Sequence, residues 1–147
     1  MDLLDRILTE AATDPGVRGV ILTGSHARGL AGPHSDLDLT VVVAEQADPW
    51  QHRVRTARLD QTVCTVDALA DTSIRWLRYR FRGARVLLDR LDGGIAALVE
   101  RQAVPTAAAR RLFPAVAGLA RVHGHGDVLD AWGTDLDLIV AGCRDVV

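Results

Sequence analysis

The chain has 147 residues, a length that fits one domain of usual size, with 48% hydrophobic and 24% charged residues. That balance is ordinary for a folded domain and excludes a disordered or collagen-like chain. Its net charge of −2 gives no bulk basic surface to recruit nucleic acid, no apolar run is long enough to span a membrane, and the N-terminus lacks a signal-peptide pattern, so a cytoplasmic location is expected.

All 17 basic residues are arginine, and neither lysine nor asparagine occurs, a bias that reads as genome composition. The two cysteines, Cys64 and Cys143, match no zinc spacing. Leu3, Leu4, Ile7, Leu8 and Ala11 recur at helical spacing and predict a helix over 2–12, ended by Asp14-Pro15-Gly16. A β-rich run, Val17 to Thr23, predicts the first strand. It stops at Gly24-Ser25, where a polar, glycine-rich segment begins, with a short helical turn expected over 27–30.

Asp36 and Asp38 stand at the head of a second strand, expected over 37–44. Residues two apart on a strand share a face, so these carboxylates point the same way. Two anions that close repel unless a cation sits between them, and oxygen donors on a short spacing suit a hard divalent ion such as Mg²⁺. Glycine at position 24 lets backbone approach a phosphate, and the N–H groups after a strand can cradle an anion. Arg28 is either a triphosphate contact or a solvated loop side chain. His26 and His34 are read as hydrogen-bonding loop residues rather than ligands.

Further along, a helix is expected over 50–58, with Arg53, Arg55 and Arg58 facing solvent. A third strand is expected over 60–66. Asp71 or Thr72 is expected to cap a helix reaching Arg82, with Gly83 at its end and with Arg75, Arg78 and Arg82 on a stripe that is either a solvated face or a contact for substrate phosphates or an acidic partner. Val86 to Asp89 reads as a short strand, and Asp92 as the cap of a helix carrying Ile95, Leu98 and Val99. Another helix is expected from Pro105-Thr106 to before Pro114. His123-Gly124-His125-Gly126 reads as a glycine-rich connection. Asp135-Leu136-Asp137-Leu138 echoes Asp36 to Leu39. Twelve residues upstream of it stands His123-Gly124, not Gly-Ser, so the echo is read as coincidence.

Gly24-Ser25, ten residues, then Asp36-Leu37-Asp38-Leu39 resembles the signature of the DNA polymerase β-like nucleotidyltransferase superfamily. The resemblance covers about the first 90 residues. It implies an α/β fold with a small mixed sheet flanked by helices: a nucleotidyltransferase core over 1–92, then a helical and partly irregular C-terminal segment over 93–147. It also implies transfer of a nucleoside monophosphate, usually AMP, from ATP or another nucleoside triphosphate to a hydroxyl. Asp36, Asp38 and a third carboxylate would hold two Mg²⁺ ions, and Gly24, Ser25, Arg28 and Ser35 would form the triphosphate-binding set.

Members of the superfamily include antibiotic-modifying enzymes and minimal nucleotidyltransferases that act as antitoxins to HEPN toxins. The implied acceptor is therefore a small molecule or a protein, and the small post-core segment implies a homodimer or a partner complex. A catalytically impaired nucleotide-binding module is the remaining alternative. Asp60 and Asp67 both offer the third carboxylate, which in the family is metal ligand and general base. They are seven residues apart and would face opposite sides of one regular strand. Leu59-Asp60-Gln61 resembles the acidic strand start of antibiotic-modifying members, which favours Asp60. The minimal members keep Asp67 open, or place the position at Cys64.

Overall fold

A computed structural model describes residues 2–73 and 80–103. Residues 1–103 form one compact unit and residues 104–147 a second, which lies outside the described residues. The expected helix after Pro105, the His123–His125 stretch and the Asp135–Asp137 echo all fall there.

Helix α1, Leu3–Thr13, begins where the Asp2 carboxylate accepts the Asp5 amide at 2.8 Å, and ends at Asp14 before Pro15. Strand β1, Val17–Thr23, occupies its expected span. Strand β2, Leu37–Val43, runs antiparallel to it, with Val20 opposite Val41 and Thr23 opposite Asp38. Strand β4, Leu59–Thr65, lies parallel to β2 on its other side, with Leu37 beside Leu59 and Asp38 beside Asp60. The two-residue strand β3, Val54–Arg55, forms one edge, and β5, Arg85–Asp89, forms the other. The sheet order is β3-β4-β2-β1-β5, mixed in direction.

Alternation along the strands divides the core in two. On one face, Ile7 and Ala11 of α1 pack with Val20, Leu22, Leu39 and Val41. On the other, Ile21 and Val42 meet Leu69 of helix α3, Val66–Ala70, and Ile95 and Val99 of helix α4, Gly94–Gln102. Gly19 allows α4 to come close, since a Cβ there would lie 2.9 Å from both Ile95 Cγ1 and the Leu88 carbonyl oxygen. Gln102, fully buried, donates to the Leu69 and Asp71 carbonyls at 2.7 and 2.8 Å and ties α4 to the end of α3.

Several local expectations are corrected. The helix expected over 50–58 is absent. Trp50 is buried instead, its indole N–H donating to Asp14 at 3.0 Å, and Val54 and Arg55 pair with Gln61 and Asp60 in the ladder. A β-branched residue with a ladder partner available outweighs weak helical propensity. The loop helix is α2, Gly24–Ala27, three residues earlier than expected. The third strand starts at Leu59 and stops at Thr65, whose hydroxyl accepts the Ala68 amide at 3.2 Å and caps α3. Gly93, not Asp92, is the cap residue of α4, while the Asp89 carboxylate accepts the Leu91 and Ala96 amides. Of the helix expected from Asp71 to Arg82, residues 74–79 lie outside the described residues.

Candidate active site

The register puts Thr23, Asp38, Asp60 and Arg55 in one row across β1, β2, β4 and β3. Neighbouring strands are ~4.8 Å apart, so side chains in one row on one face are in reach of each other. This row lies on the α3/α4 side of the sheet, beside Asp36, which immediately precedes β2. Thr23 is buried and its hydroxyl donates to the Asp38 carbonyl at 3.4 Å, which fixes the end of β1 against the head of β2.

Gly24 continues from Thr23 with φ +66°. A Cβ built on it would stand 2.0 Å from Asp38 Oδ2, so the carboxylate occupies the space that any side chain at 24 would need. Glycine is required twice over, for the left-handed backbone and for the close approach. The Asp38 carboxyl is held above its ordinary range, first by burial and then by the neighbouring charge of Asp36. Asp60 pushes the same way, while Arg80 and His26 partly oppose it.

Asp60 behaves in the opposite way. Arg53 grips it with a side-on fork: Nε donates to Oδ1 at 2.8 Å and Nη2 pairs with Oδ2. That hydrogen-bonded pair holds the Asp60 carboxyl below the usual range despite burial, with Arg80 and Arg55 adding to the effect. Arg80 is mostly buried, donates to the Leu39 carbonyl at 3.1 Å, and its charge acts on both Asp38 and Asp60. Asp67 is exposed in the first turn of α3 and does not share the Asp38 row.

The other residues of the expected triphosphate-binding set are placed as follows. Ser25 lies in α2, and its carbonyl accepts the Leu30 amide at 2.9 Å. Arg28 is partly buried with its stem against Gly83, where an added Cβ would lie 2.9 Å from Arg28 Cγ. Ser35 closes a turn on Gly32: its hydroxyl accepts the Gly32 amide at 2.9 Å, and its amide donates to the Gly32 carbonyl at 3.1 Å. His26 Nε2 lies 3.5 Å from the Ser35 carbonyl. His26 and Ser35 line a cleft of about 210 Å³ with Asp2, Leu3, Leu37 and Arg58, below the size of a whole small-molecule site.

Two site arginines were not anticipated from the sequence. Arg53 was expected in solvent, and Arg80 falls outside the stripe of Arg75, Arg78 and Arg82. Neither has a local signal, because their partners lie seven and forty-one residues away.

Asp36 and Asp38 suit a hard divalent cation, because their donor atoms are carboxylate oxygens on one short spacing. Among the described residues, no group of three or more His, Cys, Asp or Glu side chains is arranged to hold a metal ion. No helix of the described residues is long and apolar enough to cross a membrane.

A mixed five-strand sheet with helices on both faces, and a glycine turn set against a strand-head carboxylate, define the α/β nucleotidyltransferase fold. The sequence model of the nucleotidyltransferase domain matches residues 4–93, from α1 to the approach to α4, and the chain belongs to that family. No curated protein matches the chain significantly. Among solved structures, one described as "Crystal structure of the toxin-antitoxin with AMP-PNP" aligns over 88% of this chain and 99% of its own, at 12% identity and a TM-score of 0.40. A likeness that distant carries no argument about function.

Proposed function

We propose that the protein transfers a nucleoside monophosphate, AMP from ATP, to a hydroxyl of a small molecule or a protein. The observation that carries this reading is the Asp38 carboxylate seated against the Gly24 backbone, with Asp36 beside it and Asp60 in register on the next strand. In this reading Asp36, Asp38 and Asp60 would hold two Mg²⁺ ions, and Gly24 and Ser25 would bind the β- and γ-phosphates, with Arg28 and Ser35 in the surrounding loop. Paired divalent ions stabilise both the attacking and the leaving oxygen of a phosphoryl displacement. Asp60 accepts the proton of the acceptor hydroxyl. The hydroxyl oxygen bonds to the α-phosphorus as the bond from that phosphorus to the pyrophosphate oxygen breaks.

The fork of Arg53 on Asp60 favours a second reading, a nucleotide-binding module with impaired transfer that acts through a partner protein. Calorimetry with a nonhydrolysable ATP analogue tests the binding common to both. Binding is expected to require Mg²⁺ or Mn²⁺ and to be lost in Asp36→Asn and Asp38→Asn. Equal binding with and without metal refutes both readings. Mass spectrometry of candidate acceptors after incubation with ATP and Mg²⁺ separates them, since only the enzyme leaves an added nucleotide.

A further inference from the structure

Three carboxylates and three guanidinium groups, those of Arg53, Arg55 and Arg80, share this corner of the sheet, and Arg53 and Arg80 are held very differently. Arg80 is mostly buried and anchored to the Leu39 carbonyl, so its charge is a fixed part of the fold. Arg53 stands on the segment before the edge strand β3 with half of its side chain exposed, while the Asp60 side chain is only 13% exposed. Its anchor is therefore Asp60 itself. The fork uses both carboxylate oxygens, Oδ1 through Nε and Oδ2 through Nη2. Such a fork occupies one lone pair on each carboxylate oxygen, the two that face the guanidinium, and sets a positive charge beside the remaining ones. A divalent ion needs the same oxygens, and a second cation placed within a few ångströms of a guanidinium is repelled.

We propose that Arg53 is the resident counter-ion of the third carboxylate, and that a divalent metal reaches Asp60 only by displacing it. The inference rests on the reading of Asp36, Asp38 and Asp60 as metal ligands. It adds that the site changes hands: without metal, Asp60 is neutralised from within the chain, and Asp36 and Asp38 are the carboxylates open to a first ion. Engagement of Asp60 is coupled to release of an arm that already lies half in solvent.

The test is a titration of the full chain with MnCl₂ alone, following free Mn²⁺ by electron paramagnetic resonance, with no nucleotide present. Arg53 is half exposed, so its replacement leaves the core intact. Arg53→Ala is expected to bind Mn²⁺ about fivefold more tightly than the native chain, the order expected when a partly exposed ion pair stops competing. Adding Asp60→Asn to Arg53→Ala is expected to remove that gain. Arg53→Lys, which keeps the charge but cannot form the fork, is expected to fall between the native chain and Arg53→Ala. Unchanged or weaker binding in Arg53→Ala overturns the proposal, as does a gain that survives Asp60→Asn. Asp38→Asn reports separately on the underlying reading. If it abolishes Mn²⁺ binding while Arg53→Ala changes nothing, the metal site stands and the displacement does not. If Asp38→Asn binds like the native chain, the metal site itself is wrong.

Discussion

Replacing Gly24 by alanine perturbs the one contact on which the site's geometry turns. Two costs can be separated. The backbone at 24 has φ +66°, where an L side chain costs roughly 1–2 kcal/mol. The new Cβ would also lie 2.0 Å from Asp38 Oδ2, against 3.4 Å for ordinary contact, so the carboxylate must retreat by about 1.4 Å. Forcing atoms into a filled space costs roughly 1–3 kcal/mol. Gly24→Ala is therefore expected to lose about 3 kcal/mol in urea unfolding, and a displacement of that size at a reacting group is expected to lower transfer by ~10²-fold or more. In an Asp38→Ala background the oxygen is gone. The neighbouring Cβ contact of 3.2 Å remains, so the same substitution should then cost only the backbone strain, about 1–2 kcal/mol. If Gly24→Ala costs the same in both backgrounds, the carboxylate is not what the glycine accommodates, and the reasoning fails.

Two further outcomes follow from packing and burial. Gln102→Leu keeps the volume of α4 but leaves the Leu69 and Asp71 carbonyls without their donor, and a loss of about 2–3 kcal/mol is expected by denaturant unfolding; a loss under about 0.5 kcal/mol contradicts that role. Burial pushes the Cys64 thiol from 9.0 up to about 11, with Arg80 opposing. The native state thus keeps its proton to a higher pH than the unfolded chain. The stabilisation is complete below about pH 9 and is lost as pH rises through about 11, by roughly 2–3 kcal/mol for two pKa units. In a Cys143→Ser background, native Cys64 should resist iodoacetamide at pH 8.5 and react once unfolded; equal rates in the two states would rule out the shift.

The sequence by itself determined the parts of this protein whose signals are local. Alternating and β-branched runs located Val17–Thr23 and, to within a residue, Leu37–Val43, because side-chain period is a property of each strand alone. Gly24 followed by Asp36 and Asp38 was legible for the same reason: a turn glycine and a strand-head pair announce themselves within fifteen residues. Only the tertiary structure decided what surrounds Asp38. The parallel register of β2 and β4 puts Asp60 beside it, and pairing across strands is a long-range choice that no single strand encodes. The exchange of an expected helix for the edge strand β3 came from ladder partners on β4, which outweighed local propensity. Arg53 and Arg80 acquired their roles in the same way. A guanidinium takes whichever carboxylate or carbonyl the folded backbone brings within reach, and that proximity exists only after the sheet has formed.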